Sequence, residues 1–246
     1  MKAIIIPVPS QRCRDSSTRS AKPNHVAGFT LVELMVVIVI IVVLAAISFP
    51  IMGRVKSAAR ATECVSNLRQ LGGAILSHAM DNNGKLVDLQ PAVDPDTGKR
   101  PPIWTVQLAR DGYLWDGNGE LPCGKGVWTC PDCDFMSHTY GGYGVVEDTI
   151  FVYAENRPVG VNQPGSLRLN LIARPERTWL IGDATRNANE LNKGWYAIWS
   201  QPDRWSGHGP APRHRDRVNV CLADGSVSVL SLAEIESREL TRNVVR

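Results

Sequence analysis

The sequence predicts an α+β protein in which one long N-terminal helix packs on a small antiparallel sheet whose strands are joined by long loops. Three observations carry that expectation. Leu34–Phe49 is uncharged and, apart from Ser48, apolar, and amphipathic spacing continues from it to Ala79. Beyond Gly84 the chain breaks into short apolar stretches punctuated by Gly and Pro. Two of those stretches alternate in polarity on either side of Asp224-Gly225, which is a strong local hairpin signal.

The first 28 residues hold Lys2, Arg12, Arg14, Arg19 and Lys22 against Asp15, a net charge of +4. The whole chain has 27 basic and 24 acidic residues, so removing this segment leaves 22 against 23. The basicity of the chain therefore belongs to its N-terminal segment, where it orients an adjacent apolar span with the positive side in the cytoplasm. A basic nucleic-acid-binding surface loses its support, and no nucleic-acid partner is expected.

Thr30 to Phe49 is 20 residues. At about 1.5 Å per residue it covers the roughly 30 Å hydrocarbon core of a bilayer. It is longer than the apolar region of a secretory signal, and no small-residue cleavage site with a polar boundary follows it. Glu33 stands at the head of this run. A carboxylate at the edge of hydrocarbon costs a few kcal/mol, so Glu33 is expected to have a function.

Past Pro50 the helix should continue as an amphipathic stalk. Val55, Ala58, Ala59, Val65, Leu68, Leu71, Ile75, Leu76 and Ala79 recur at steps of three and four. Gly72-Gly73 within this stripe suits a close neighbour, and Asp81-Asn-Asn-Gly84 supplies the stop. Residues 85–102 read as loop, and Ile103–Tyr113 as a short helix. Short strands are expected at Val127–Thr129, Tyr140–Val146, Thr149–Ala154, Leu167–Ile172 and Thr178–Gly182. Val218, Val220 and Leu222 then pair through Asp224-Gly225 with Val227 and Val229, and Leu232–Leu240 closes the chain as a helix. The expected domains are a leader at 1–28, a transmembrane helix at 29–50, an amphipathic stalk at 51–83 and a sheet-rich head at 84–246.

Gly28-Phe-Thr-Leu-Val-Glu33 followed by the apolar run to Pro50 resembles the N-terminus of type IV prepilins and type II secretion pseudopilins. The resemblance implies a pilin-like fold, cleavage by a prepilin peptidase between Gly28 and Phe29, and methylation of the new amino terminus at Phe29. Glu33 becomes the fifth mature residue and Pro50 the twenty-second. Ala27 departs from the Lys or Arg that many prepilins carry before the glycine. His214, nine residues and Asp224-Gly225 resemble the His-X9-Asp-Gly pattern of processing-associated prepilin-type proteins. Trp128-Thr-Cys130-Pro131 and Pro175-Glu-Arg-Thr178 leading to Asp183 are similar to further features of that group.

Cysteine supplies the other candidate sites. Cys13 lies in the leader, and Cys64, Cys123, Cys130, Cys133 and Cys221 remain. Cys123, Cys130, Cys133 and His138 form C-x6-C-x2-C-x4-H, four side chains able to hold a tetrahedral metal. In an oxidising compartment a disulfide from Cys123 to Cys130 or Cys133 is favoured. A structural zinc and unpaired thiols are the remaining readings. Calcium is a weaker expectation, because Asp183, Asp203 and Asp216 do not form an Asp-X-Asp-X-Asp loop.

His214 and Asp224 fall at opposite ends of one expected strand, so they should not share a site. Turn chemistry accounts for Asp224, and His214 is expected to pack or hydrogen-bond against a neighbouring loop. Gly119 to Lys125 imitates a phosphate-binding loop, but Gly126 stands where Ser or Thr would hold magnesium. No Gly-X-Ser-X-Gly nucleophile elbow occurs. The chain is therefore expected to be a non-enzymatic filament subunit without a required cofactor. Its expected partners are the prepilin peptidase, other pilin or pseudopilin subunits and the bacterial inner membrane, with the head in the periplasm or outside the cell. The alternative is a membrane-tethered extracytoplasmic ligand- or metal-binding module that uses the pilin start only for export.

Overall fold

The computed structural model describes residues 29–90, 103–114, 126–133, 141–154, 156, 165–242 and 244. The chain divides into two compact units, one ending at Phe49 and the other running from Pro50 to Arg246. Helix α1 (Leu31–Asp81) contributes residues to both.

In the first unit every side chain from Leu31 to Phe49 is exposed. These 19 residues are long and apolar enough to cross a membrane. Ser48 is the one hydroxyl in the run beyond the first turn, and its Oγ donates to the Leu44 carbonyl oxygen at 2.8 Å. A polar group in an apolar surround is thereby satisfied within its own helix.

In the second unit the rest of α1 lies over a mixed sheet. Cys64, Leu68, Leu71, Ile75 and Ala79 are fully buried, at helical steps of four, three, four and four. Burial of a leucine or isoleucine in such a stripe is worth about 1.5–3 kcal/mol. Val55, Ala58 and Ala59, part of the expected stripe, are exposed instead, so the packed face begins near Cys64. The helix ends where the stop signal lies. Asn83 and Gly84 take left-handed conformations (φ 55° and 80°), and Gly84 N donates to the Ala79 carbonyl oxygen.

Strands β1 (Tyr143–Val146), β2 (Trp179–Thr185), β3 (Ala197–Ile198), β4 (Gly209–Pro210), β5 (Val218–Leu222) and β6 (Val227–Leu230) form one sheet in the order β3-β1-β2-β5-β6, with β4 on β2. All pairs are antiparallel except β1 with β3. That parallel pair departs from the all-antiparallel expectation. It arises because the chain reverses once along β2 before reaching β3, so no helical crossover is needed. The β5–β6 hairpin turns at Asp224-Gly225, where Gly225 has φ 86° and Asp224 Oδ1 accepts from Ser226 N and Oγ. Asp224 is a turn residue, in line with its sequence.

The shorter elements correct several expectations. Gly126–Trp128 and Leu169–Leu171 are 3-10 turns and not strands. Residues 149–154 make only isolated bridges, through Phe151 and Tyr153. Helices α2 (Trp104–Arg110) and α3 (Leu232–Ser237) occupy the expected places and are shorter than expected. In each case the apolar side chains do reach the core, Trp128, Leu167 and Phe151 among them. Their backbones bond outside a regular ladder: Phe151 N donates to the Val146 carbonyl oxygen and Leu167 N to that of Ile150.

Candidate functional site

At the head of α1, Thr30 and Glu33 close a reciprocal cap. Glu33 N donates to Thr30 Oγ1 at 3.2 Å, and Thr30 N and Oγ1 donate to Glu33 Oε2 at 2.8 Å each. Two backbone donors that the first helical turn leaves open are thus satisfied. The Thr-X-X-Glu spacing before an apolar run is the sequence signature of this capping box, a role for Glu33 additional to the expected one. Phe29, immediately before the cap, is 79% exposed. Gly28 lies outside the described residues.

A second constellation lies in the second unit, beneath α1. In the register of the sheet Tyr143 faces Asp183 and Ile181 faces Cys221, so Asp183, Asn219 and Cys221 project from the same side of the sheet. That side is covered by α1: Asn67 Nδ2 reaches Tyr143 Oη at 3.3 Å, and Cys64 Sγ donates to Asp183 Oδ1 at 3.2 Å. Asp183 is fully buried, and its Oδ2 accepts from Asn219 N at 2.9 Å.

His214 enters from a reverse turn. Arg217 N donates to the His214 carbonyl oxygen, His214 N donates back to that of Arg217, and Arg215 and Asp216 between them take left-handed φ of 55° and 59°. The turn delivers His214 Nε2 to 3.5 Å from Cys130 Sγ and 3.6 Å from Asp183 Oδ2. On the other edge of the ring, His214 Nδ1 lies 3.0 Å from Asp132 Oδ2, close but not aligned as a hydrogen bond. Asp132 is held in turn by Arg60 of α1 at 2.9 Å. Cys64, Cys130, Asp183 and His214 are all buried, and each offers one ligand atom, all within 4.8 Å of one another.

The electrostatics follow from burial. Loss of solvent pushes the Asp183 carboxyl up to about 7, with the Cys130 sulfur adding to the effect and Arg213 opposing it. Interaction with the neighbouring Cys64 sulfur, aided by His214 and Arg213, holds the Cys130 thiol well below its ordinary range, while burial drives Cys64 up. Burial pulls His214 down, but Cys130, Asp183 and Asp132 together outweigh it and leave the imidazole above its ordinary value. Arg213, with 2% of its side chain exposed, lies 3.8 Å from Asp183. Its guanidinium also donates to the carbonyl oxygens of Leu191, Gly142 and Ala184.

The cysteine-rich segment is divided by the fold. Cys130 joins the buried constellation, whereas Cys133 Sγ donates to the Asn192 carbonyl oxygen at 3.0 Å. Cys123 and His138 lie outside the described residues. Among the described residues, Cys64, Cys130, Cys133 and Cys221 are thiols. The constellation includes Asp183, one of the expected calcium candidates, but surrounds it with sulfur and nitrogen rather than oxygen; Asp203 and Asp216 are not part of it. His214 meets the neighbouring loop through Cys130 and Asp132, as expected, and reaches Asp183 as well, while α1 adds Cys64, which is outside the expected site. The available signal was that Cys64 continues the buried stripe of Leu68, Leu71 and Ile75.

A family model described as the prokaryotic N-terminal methylation motif matches residues 23–49, which include Gly28, Phe29 and Glu33. No curated protein and no solved structure matches the chain. The matched motif covers the N-terminal segment, which carries the exposed apolar stretch Leu31–Phe49; the second unit, a helix packed on a small mixed sheet with loops, is an α+β arrangement consistent with a pilin-like fold.

Proposed function

We propose that this protein is a structural subunit of a type IV pilus-like or type II secretion pseudopilus-like filament. A prepilin peptidase cuts after Gly28, Phe29 is methylated, and the N-terminal helix enters the filament. The observation that carries this reading is the uncovered apolar segment Leu31–Phe49 headed by a single carboxylate, Glu33, inside a matched methylation motif. An exposed surface of that kind needs lipid or other helices around it. In the bilayer the chain is a single-pass anchor, and the second unit lies on the extracytoplasmic side, opposite the basic leader. In the filament the same surface packs against copies of itself or related subunits. The role is architectural rather than catalytic.

N-terminal mass analysis of the protein from cells with and without the prepilin peptidase tests the reading. A chain beginning at methylated Phe29 only when the peptidase is present is the expected result. An intact Met1 in both strains overturns processing, and a processed chain that never co-purifies with filament components overturns assembly.

A further inference from the structure

The donor set under α1 has a chemistry that filament assembly does not use. Two sulfurs, one imidazole nitrogen and one carboxylate oxygen converge from four places far apart in the sequence: α1, the turn after Trp128, β2 and the turn before β5. We propose that Cys64, Cys130, Asp183 and His214 form a structural zinc site that fastens α1 to the sheet.

Geometry supports a tetrahedral ion. Zinc bonds of about 2.3 Å to sulfur and about 2.0–2.2 Å to nitrogen and oxygen place neighbouring ligand atoms roughly 3.4–3.8 Å apart. The short approaches here are 3.2 Å from Cys64 Sγ to Asp183 Oδ1, 3.5 Å from Cys130 Sγ to His214 Nε2, and 3.6 Å from His214 Nε2 to the other carboxylate oxygen, Oδ2, and one ligand atom from each residue lies within 4.8 Å of the rest. Closing the longest of these separations to a tetrahedral edge takes shifts of about 1 Å, within reach of side-chain rotation. All four residues are buried, with His214 the most exposed at 5%. A closed set of four protein ligands belongs to a structural site, since a catalytic zinc keeps a position for water. Soft sulfur beside imidazole selects zinc over calcium or magnesium.

The surroundings fit as well. His214 presents Nε2 to the site while Nδ1 faces Asp132, the carboxylate–histidine arrangement that fixes ligand orientation around zinc. A small ring rotation on binding aligns that pair. Asp183 is anchored by Asn219 N through Oδ2. Charge also balances: two thiolates and one carboxylate carry −3, zinc contributes +2, and the buried Arg213 beside Asp183 supplies the remaining +1. Binding displaces the thiol protons to solvent.

The test uses the full chain in detergent, loaded with zinc or with cobalt as a spectroscopic substitute. After dialysis against metal-free buffer about one zinc per chain is expected. Cobalt should give a thiolate charge-transfer band with the intense d–d bands of tetrahedral coordination. Cys64→Ser and His214→Gln should each abolish the retained metal, and Asp132→Asn should weaken binding about 10–100-fold. Cys133→Ser and Cys221→Ser should leave it unchanged. The cobalt spectrum of the unaltered chain decides the matter even if a ligand variant fails to fold. Three results overturn the proposal: no metal retained by the unaltered chain, metal retained undiminished in Cys64→Ser, or a Cys64–Cys130 disulfide in protein taken directly from cells. Loss of metal in Cys133→Ser with retention in Cys64→Ser would move the site to the Cys130–Cys133 segment. Filament incorporation is a separate readout, so this proposal can fail without touching the assembly reading.

Discussion

Gly72 of α1 stands against Cys221 of β5 so closely that a Cβ on Gly72 would lie 2.4 Å from the cysteine sulfur. Gly73, the next residue, is exposed and would meet nothing within 4 Å. The two glycines look alike in sequence and differ entirely in what they permit. Gly72→Ala gains about 1 kcal/mol of helix propensity but overpacks a site whose neighbour is fully buried, at about 1–3 kcal/mol. The expected net effect runs from about zero to a loss of about 2 kcal/mol, whereas Gly73→Ala should stabilise by roughly 0.5–1 kcal/mol. Thermal unfolding of the full chain in detergent measures both. Adding Cys221→Ala to Gly72→Ala should recover part of the loss, and an additive double variant would refute the close packing.

Glu33 has two separable properties, its cap and its charge. Glutamine can complete a capping box as glutamate does, so Glu33→Gln keeps the first turn of α1 and removes only the charge. Under the filament reading, the carboxylate neutralises the Phe29 amino group of a neighbouring subunit. Glu33→Gln and Glu33→Ala should then both be cleaved and both fall at least tenfold in filament incorporation. Normal incorporation of the glutamine variant would leave capping as the role of Glu33. Membrane-fraction and filament-fraction immunoblots distinguish these outcomes.

Glu147, at the end of β1, is a pH-sensitive position outside the metal-binding constellation. Burial, with Asp148 adding to it and Arg204 opposing, pushes its carboxyl from an ordinary 4.5 up to about 7. The folded state therefore holds a proton that the unfolded chain releases between those values. Stability contributed by the neutral carboxyl is intact below pH 4.5 and is lost as pH rises through about 7. Glu147→Gln should lose less melting temperature than the unaltered chain when pH is raised from 5 to 8, the loss that remains belonging to groups such as Asp183, whose carboxyl is also pushed up to about 7. Parallel slopes for the two proteins would dismiss Glu147 as the source.

Helix α3 is capped by Ser231, whose Oγ accepts from Glu234 N at 3.2 Å while Glu234 Oε2 accepts from Ser231 N at 2.8 Å. The helix holds the buried Ile235 against the core. Ser231→Ala should cost about 1 kcal/mol in denaturant unfolding, and Ser231→Asp should recover most of it. The exposed Glu234–Arg217 pair at 2.7 Å adds little, so Arg217→Ala should change stability by under about 0.5 kcal/mol.

The sequence by itself determined the elements whose cause is local. Uninterrupted apolarity set the span from Leu31 to Phe49, helical periodicity the buried stripe from Leu68 to Ala79, Asn83-Gly84 the helix end, and Asp224-Gly225 the hairpin. The same local logic was blind to the constellation under α1. Alternation places Val218, Val220 and Leu222 on one face of β5 and says nothing of the face that carries Asn219 and Cys221. Only the packing of α1 across that opposite face buries it, together with Asp183 of β2. Cys64 and His214 lie 150 residues apart and acquire a relationship only when the helix, the sheet and the Arg215-Asp216 turn are in place. Local signals encode where a helix or turn forms, because their hydrogen bonds close within a few residues. Which faces become interior is decided by long-range burial, and so the candidate metal site emerged only in the tertiary structure.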